Sequence, residues 1–243
     1  RIVGGLTPRC TTRARRLYEI FVQGTIYETS SGTAELVKLL ENAYRDVNIA
    51  FANEVSVLCD HLGLDAWEAI SLANRHPRVN ILNPGPGVGG HCIAVDPWFL
   101  ISAMPSLTRL MRAARDTNNA KPDFVLKKIH DQMDRFSSPV VACLGLSYKP
   151  DVDDLRESPA VEIVSQLARE GCSILVVEPH IDKLPDALSS RPNVELAPLD
   201  VALDHANVVA LLVGHKQFSH VSRERLSRAG VIDSVGLWRP VVN

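Results

Sequence analysis

A segment of thirty residues that contains neither proline nor glycine most limits what this chain can fold into. It covers residues 33–62, is rich in helix-forming residues and is followed by Gly63. A helix of that length spans roughly 45 Å, which is long for a helix of a globular domain. We therefore expect it to bridge domains or to pair with a second subunit. Its mostly apolar face comprises Leu36, Leu40, Ala43, Tyr44, Val47, Ala50, Phe51, Glu54 and Leu58.

Shorter patterns on either side of this helix predict an α/β remnant and a helical region. We expect residues 1–30 to be the end of an α/β domain and residues 31–136 to form an all-helical central domain. Asp65 is a suitable N-cap for a second helix in that region. The predicted strands lie at about 2–3 and 25–28, and the predicted helices lie at about 11–21, 65–73 and 107–135.

Strand and helix patterns alternate after Pro139, which indicates a different architecture for residues 137–243. Such alternation is typical of a Rossmann-like, doubly wound parallel sheet with helices on both faces. Ligands of these sheets bind at the carboxyl ends of the strands, which places residues 145–150 at the predicted mouth. Strands are expected at 140–146, 173–177, 207–213 and 230–232, and helices at 158–170 and 200–206.

The loop NPGPGVGGHCIAVDPW, at residues 83–98, contains the strongest candidate for a reactive side chain. Its glycines allow close approach of the backbone to a bound group, its prolines stiffen it, and Asp96 follows Cys92 by four positions. A free cysteine is ordinarily a packing residue, and the other four cysteines are interpreted in that way. A nucleophilic thiol instead needs a fixed loop and polar neighbours, which this segment offers.

Composition excludes several classes of protein. A net charge of −2 predicts no nucleic-acid partner, and no apolar run reaches the ~20 residues of a membrane span. Five scattered cysteines favour a reducing, cytoplasmic location over a disulfide framework. Because the sequence contains no CxxC or HExxH pattern, we expect no metal site.

Polar residues at helical spacing suggest a second set of candidates. Lys38 and Asn42 are four positions apart and share a helix face, which Arg45 continues. These residues either belong to an ordinary solvated helix face or form a pair of hydrogen-bond donors that stabilise an oxyanion.

Two polar loops are further candidates for binding sites. His76 and Arg78 form a small basic turn suited to phosphate or carboxylate, unless the turn is simply exposed. Lys149 and Arg156 would suit a diphosphate, although Ser158 and Pro159 also make a plain helix start.

Three motifs in this order resemble the nucleotide-sugar 6-dehydrogenases, the family that includes UDP-glucose and GDP-mannose dehydrogenases. They are AELVKLLENAYRDVNIAFANE, GPGVGGHCIAVDP and GLSYKPDVDDLRESPA, and the resemblance covers most of residues 1–160. The form GGHCIAVDPWF looks most like the subgroup that acts on UDP-N-acetyl-D-mannosamine.

The resemblance implies oxidation of a sugar C6 alcohol to a carboxylate with two NAD⁺, as in polysaccharide biosynthesis. Cys92 would form a thiohemiacetal and then a thioester that water hydrolyses. Lys38 would act as acid/base and stabilise the oxyanion, Asn42 would position the water or oxyanion, and Asp96 would help to activate the water.

The same resemblance implies the binding contacts and a homodimer formed through the long central helix. Arg78 would reach the substrate across that dimer, and Arg156 would touch NAD. The implied contacts to the UDP-sugar are Arg45, His76, Arg78, Gly89, Tyr148 and Lys149.

Departures from the family pattern limit these expectations. The family carries an N-terminal dinucleotide-binding domain in which GxGxxG opens a helix after a strand. This chain opens at Arg1, and its glycine loop at residues 85–90 instead precedes a cysteine, so residues 1–30 are interpreted as a remnant of that domain. The 243 residues alone are expected to bind UDP-sugar and dimerise without oxidising it. Val235 stands where family members carry a basic residue.

Other functions remain open from the sequence. One is a non-catalytic, UDP-sugar-binding dimeric fragment, and another is a dehydrogenase for UDP-GlcNAc or UDP-GalNAc. A cysteine hydrolase or acyltransferase would need a histidine base with an orienting acid, and only the adjacent His91 is available.

Overall fold

The computed structural model describes residues 1–239 of the chain, so the last four residues of the predicted 137–243 domain lie outside it. The amino-terminal half contains two short strands and five helices. In chain order they are β1 (Ile2–Gly5), α1 (Pro8–Tyr18), β2 (Tyr27–Ser30), α2 (Ser31–Leu62), α3 (Ala66–Ala73), α4 (Asp96–Ala103) and α5 (Arg109–Met133).

The carboxyl-terminal half alternates strands with helices, as the sequence predicted. A 3₁₀ helix at Lys216–His220 precedes the last α-helix. The elements are β3 (Val140–Leu144), α6 (Pro159–Arg169), β4 (Ser173–Val177), α7 (Asp186–Ser189), β5 (Val194–Leu196), α8 (Leu199–His205), β6 (Val208–Leu211), α9 (Arg223–Leu226) and β7 (Gly230–Asp233).

Five strands of this half form one parallel sheet in the order β5-β4-β3-β6-β7. The order reverses beside β3, which is the switch point where doubly wound sheets bind ligands. Buried residues of α5 and α6 pack on one face of the sheet. Residues of α8, α9 and the 3₁₀ helix, including Phe218, pack on the other. The predicted fold, a helical central part followed by a Rossmann-like parallel sheet, is confirmed.

The boundaries of several elements differ from the sequence-based expectation. Helix α1 begins at Pro8, three residues early, because the Thr7 side chain accepts a hydrogen bond from the Cys10 N–H and proline suits the first turn. Strand β2 extends to Ser30 rather than ending near residue 28. The sequence analysis missed β5 because a three-residue edge strand carries almost no periodicity, and it missed α4 inside the glycine-rich loop.

The long helix α2 forms as predicted, and both ends have clear stop signals. Ser30 caps its start by accepting the Thr33 N–H, and Gly63 ends it in the left-handed conformation at φ 67°. Its apolar stripe, however, does not pack into the core of the chain. Among the stripe residues, Ala43 and Ala50 are buried, whereas the large ones are exposed: Leu36, Leu40, Tyr44, Phe51 and Leu58.

The face of α2 that is buried against the rest of the chain is half polar, with four polar side chains among its eight buried residues. It includes Asn42, Asp46 and Asn53, each without solvent exposure. These side chains form hydrogen bonds to α4, to α5 and to the loop at residues 83–98, which we call the cysteine loop. No helix within residues 1–239 combines the length and the apolar character needed to cross a bilayer.

Candidate active site

Cys92 lies in a tight turn directly before α4. The N–H groups of Val95 and Asp96 both donate to its carbonyl oxygen, at 3.1 and 2.8 Å. Its side chain is half-buried, whereas Cys59 and Cys143 are buried in the core. Cys10 is exposed, contrary to its interpretation as a packing residue. The Cys92 thiol therefore sits on a fixed turn at the protein surface rather than in apolar packing.

A cavity of about 410 Å³ opens in front of this thiol. A second cavity, of about 420 Å³, continues from it to the carboxyl ends of β3 and β6. The two share Ile49, Gly87, Tyr148 and Lys149, so they form one continuous cleft. The side chains that line its thiol end include Lys38, Arg45, Ile49, His91, Cys92, Ile93, Tyr148 and Lys149.

Two glycines of the cysteine loop rest directly on the loop that follows β3. A Cβ at Gly90 would lie 2.7 Å from the Tyr148 ring, and its φ of +82° already disfavours other residues. A Cβ at Gly89 would lie 2.3 Å from the Glu157 carbonyl oxygen. The Gly90 N–H also donates to the Arg156 carbonyl oxygen at 3.1 Å. This close approach places the thiol beside residues from a distant part of the sequence.

Asn42 is fully buried and links two charged side chains. Its Nδ2 donates to the Asp96 carboxylate, and its Oδ1 accepts from the Arg45 guanidinium. The sequence analysis placed the Asn42 amide beside the Lys38 ammonium as a donor to one point in the site. The structure instead engages the amide with Asp96 and Arg45, and neither Asn42 nor Asp96 lines the cleft.

Lys38 stands one turn before Asn42, at the rim of the cleft. Its side chain is 60% exposed, and its nearest carboxylate is that of Glu41 at 3.8 Å. Within the described residues 1–239, no acidic partner therefore holds the ammonium tightly in place. A cation at this position is free to move toward negative charge that develops on a bound group.

The remaining predicted residues divide between the cleft and the outer surface. His76 and Arg78 are exposed and line neither cavity, and the Arg78 N–H donates to His76 Nδ1 at 3.3 Å. Arg156 also lines neither cavity, and its exposed guanidinium makes paired hydrogen bonds to Asp154. These bonds lower the pKa of the Asp154 carboxyl to about 2.

Two asparagines that the sequence analysis did not single out hold the start of the cysteine loop. Asn48 Oδ1 accepts the Leu82 N–H, and Asn53 Oδ1 accepts the Gly85 N–H, each at 2.9 Å. Asparagine is a poor helix former, so its recurrence at 42, 48 and 53 within one helix was an available signal.

A buried ion pair supports this arrangement from behind. Arg115 on α5 donates to Asp46 Oδ1 at 2.6 Å, and both side chains are buried. Asn118 Nδ2 donates to the same oxygen at 2.8 Å, and its Oδ1 accepts from Asn53 at 2.9 Å. The network therefore connects α5, α2 and the cysteine loop.

One group of side chains within residues 1–239 has a spacing compatible with a metal ion. Potential ligand atoms of Asp151, His180 and His215 lie within 4.8 Å of one another. However, His215 Nδ1 already accepts the Asp151 N–H at 2.9 Å, and Asp151 Oδ1 accepts the Lys216 N–H at 3.1 Å. The Nε2 of His215 in turn lies 3.0 Å from Glu178 Oε2, so both ring nitrogens of His215 are already engaged within the protein.

Comparison with known proteins agrees with the architecture. The chain matches the central domain of the UDP-glucose/GDP-mannose dehydrogenase family over residues 32–120. It matches the UDP binding domain of the same family over residues 142–240.

Two curated relatives show the level of similarity. The chain is 56% identical over 239 residues to the NDP-N-acetyl-D-galactosaminuronic acid dehydrogenase of Ralstonia nicotianae. The match covers 98% of this chain and 56% of that protein. It is 55% identical over 227 residues to the UDP-N-acetyl-D-mannosamine dehydrogenase of Campylobacter jejuni, with 93% and 56% covered. The chain thus spans a little over half the length of these relatives.

Two solved structures share the fold over essentially the whole chain. The UDP-D-ManNAc dehydrogenase of Pyrococcus horikoshii has 35% identity and a TM-score of 0.86, covering 100% of this chain and 57% of its own. The UDP-N-acetyl-mannosamine dehydrogenase of Staphylococcus aureus has 38% identity and a TM-score of 0.83, with 99% and 56% covered. With two domains of one family matched in order along its length, this chain belongs to the UDP-glucose/GDP-mannose dehydrogenase family.

Proposed function

We propose that this chain supplies the thiol and the nucleotide-sugar site of an NAD-dependent dehydrogenase that oxidises the C6 alcohol of UDP-N-acetyl-D-mannosamine to a carboxylate. One observation carries the proposal, namely that Cys92 and the Tyr148–Lys149 segment line the same cavity. A sugar nucleotide bound along the cleft would direct its sugar toward the thiol and its UDP toward the ends of β3 and β6.

The Cys92 sulfur is the nucleophile of the proposed reaction. The C6 alcohol first loses its hydroxyl proton and a hydride, which gives the aldehyde. The thiolate then adds to the aldehyde carbon, forming a C–S bond and a thiohemiacetal whose oxygen carries the developing charge. Loss of hydride from that carbon leaves a thioester. Water then adds to the thioester, the C–S bond breaks, and the carboxylate and the free thiol are released.

Three side chains assist the sulfur in this scheme. Lys38, at the rim of the cavity, takes up the hydroxyl proton as the neutral amine, and the ammonium formed in this way stabilises the oxyanion and returns the proton. Asn42 and Asp96 hold one another by a hydrogen bond, and they position and help to activate the water that attacks the thioester. Because both are set back from the cavity wall, they would act through a water molecule rather than by direct contact with the sugar.

NAD⁺ supplies the hydride acceptor for both oxidations when it is bound. Of the residues described, Arg156 suits a cofactor phosphate best, since its guanidinium is exposed and its backbone accepts the Gly90 N–H of the cysteine loop. We propose this arginine as a cofactor contact.

The proposed substrate contacts form two groups. Arg45, Gly89, Tyr148 and Lys149 line the cleft and are assigned to the bound nucleotide sugar. His76 and Arg78 are exposed outside it, so we propose that they reach the substrate of a second subunit.

We propose a homodimer formed through the exposed stripe of α2. Tyr44, Phe51 and Leu58 are each more than half exposed along this helix, which is unusual for large apolar side chains that have no partner. Replacement of Phe51 by Glu would bury a charge in the interface and is expected to convert dimer to monomer. Light scattering measures the mass, with Val201→Glu on the exposed surface of α8 as the matched control. A dimer that persists in F51E would exclude this interface.

We propose three functional units within the chain. Residues 1–30 belong to a dinucleotide-binding domain, 31–136 form the dimerising central domain with the cysteine loop, and 137–243 form the UDP-sugar domain. The parallel pair β1–β2 favours the first assignment, because two isolated parallel strands rarely persist without further strands beside them. We place the enzyme in the cytoplasm on the grounds of its five free thiols.

Two alternatives have specific support. The named relatives act on different N-acetylhexosamine derivatives, so UDP-GalNAc or UDP-GlcNAc is the competing substrate. Since the chain spans only 56% of those relatives, the 243 residues alone are expected to bind UDP-sugar without oxidising it.

Nucleotide binding and NADH formation separate these functions. Calorimetry with UDP is expected to show binding by the 243-residue chain. Absorbance is expected to show NADH formation from UDP-N-acetyl-D-mannosamine and NAD⁺ by the chain joined to a dinucleotide-binding domain, which we call the full-length protein. Titration with the two other UDP-sugars ranks the substrates by kcat/KM. Absence of UDP binding would contradict the proposal, whereas UDP binding with no NADH from the full-length protein would favour a binding function.

A further inference from the structure

The loop at residues 146–151, which we call the Tyr148 loop, is held from beneath by two side chains that line neither cavity. These are Glu178, directly after β4, and His215, four residues after β6. Both are fully buried. Their backbone positions lie at the carboxyl ends of strands on opposite sides of β3, so the pair joins three strands of the sheet under the loop.

Glu178 receives hydrogen bonds from the first part of the Tyr148 loop. Its Oε2 accepts the N–H groups of Leu146 and Ser147 at 2.7 and 3.0 Å. Its Oε1 accepts the His180 N–H at 3.1 Å. Burial raises the pKa of this carboxyl, but the hydrogen bonds from His215 and the two loop amides outweigh burial and hold the pKa below its usual range. The carboxylate therefore stays ionised beneath the loop.

His215 holds the other end of the loop. Its Nδ1 accepts the Asp151 N–H at 2.9 Å, which assigns the ring proton to Nε2. That Nε2–H then points to Glu178 Oε2 at 3.0 Å. One imidazole thus connects the end of the loop to the carboxylate that binds its start.

The conformation of the loop depends on these bonds. Asp151 adopts a positive φ of 59°, which a non-glycine residue keeps only where its surroundings impose it. Within the loop, the Ser147 hydroxyl donates to the Lys149 carbonyl oxygen at 2.8 Å. The anchored atoms therefore lie on both sides of Tyr148, whose ring supports Gly90 and faces both cavities.

We propose that Glu178 and His215 are a positioning pair that sets the Tyr148 loop for nucleotide-sugar binding without touching the ligand. This inference rests on the proposed function of the cleft. It predicts that disturbing the pair weakens UDP binding through the loop, while the sheet beneath keeps its structure.

Glu178→Gln tests the carboxylate, because an amide cannot accept with both of its terminal atoms. UDP affinity measured by calorimetry is expected to fall about tenfold or more. Amide hydrogen exchange, measured without ligand, is expected to accelerate at least about tenfold at Leu146, Ser147 and His180, with little change in β3. Glu195→Gln, at an exposed carboxylate on the neighbouring strand β5, serves as the matched control and should change neither quantity.

Two isosteric variants separate the functions of the imidazole. Asn at position 215 can place an acceptor where Nδ1 lies, whereas Gln can place a donor where Nε2 lies. We expect His215→Gln to accelerate exchange at Asp151 and His215→Asn to leave it protected. If His215 only filled space in the core, both variants would have a lower melting temperature, and exchange at Asp151 would not differ between them.

The outcomes separate failure of the inference from failure of the proposed function. If the wild-type chain binds no UDP, the inference and the proposed function are both contradicted. If the wild type binds UDP and all three variants bind it equally well, the positioning pair is refuted and the proposed function stands. Should E178Q fail to fold, the two His215 variants decide by the same measurements.

Discussion

Cys92→Ser is expected to lower the rate of carboxylate formation by the full-length protein by at least about 10³-fold. A serine hydroxyl is not ionised near neutral pH and gives an ester in place of the readily hydrolysed thioester. UDP affinity should change little, because Cys92 lies at the sugar end of the cleft, away from β3 and β6. NADH absorbance and mass spectrometry of the sugar product together measure the effect.

Cys172→Ser is the matched control for this variant. Cys172 directly precedes β4, at the amino-terminal end of that strand and so opposite the cleft. Burial raises the pKa of its thiol. It is expected to keep the wild-type rate. A C92S protein that oxidises UDP-sugar as fast as the wild type would exclude the thioester route.

Alkylation of the 243-residue chain gives an independent measurement of the same site. UDP-N-acetyl-D-mannosamine is expected to slow iodoacetamide labelling of Cys92. Cys10 is an internal reference, since it is exposed, lines neither cavity of the cleft, and hydrogen bonding by Thr7 lowers the pKa of its thiol. Burial raises the pKa of Cys143 to about 12, so that thiol should remain unlabelled in the folded protein. Equal protection of Cys10 and Cys92 would indicate a general effect of the ligand.

Arg115→Met is expected to lower the free energy of unfolding by about 3–5 kcal/mol at neutral pH. The methionine keeps much of the aliphatic stem but leaves Asp46 buried without its cation. Within residues 1–239, Asp46 Oδ2 has no hydrogen-bond partner even in the wild type, so in R115M only the Asn118 amide would still donate to the carboxylate. Urea denaturation measures the loss, and Arg112→Ala, at an exposed position of the same helix, is the matched control.

The penalty of R115M should also depend on pH in a defined direction. Burial already raises the pKa of Asp46 in the folded protein, against the lowering effect of Arg115 and Asn118. For a raised carboxyl pKa, the folded state binds more protons than the unfolded state, so stability falls as pH rises between the unfolded and folded values. Loss of Arg115 raises the folded pKa further, and the penalty should therefore grow toward neutral pH and shrink on acidification.

An added Asp46→Asn substitution tests this explanation. Because it removes the charge that R115M leaves unpaired, the double variant is expected to regain part of the lost stability. It should also lose most of the pH dependence that R115M adds. An R115M protein within about 1 kcal/mol of the wild type at neutral pH would show that the pair is not the support we infer.

Most of the fold was accessible from local sequence patterns. The uninterrupted helical segment, Gly63 at its end and the alternation after Pro139 each reflect backbone geometry over short distances. Strand β3, which is buried except at its first residue, was predicted two residues too long because an apolar run does not mark where strand pairing ends. The outward orientation of the α2 stripe was not predicted, because periodicity shows that a face is apolar and not what covers it.

The candidate site was accessible only in part. Cys92 and Lys149 were predicted from their loops and Tyr148 from the family resemblance, and all three line one cleft. Glu178 and His215 were not found, since each is a single polar residue after an unremarkable strand. Their importance follows from the bonds they make to backbone atoms more than thirty positions away.

By itself, the sequence determined which segments become helices and strands, because periodicity, caps and breakers act within a few residues of one another. It also determined which side chain is suited to act as a nucleophile, through the loop-forming residues around Cys92. Only the tertiary structure decided that this loop lies against Tyr148, that Asn42 binds Asp96, and that Lys38 stays at the rim. The first two of these contacts join residues that are distant along the chain, and only the close packing of the helices on one another and against the parallel sheet brings them together.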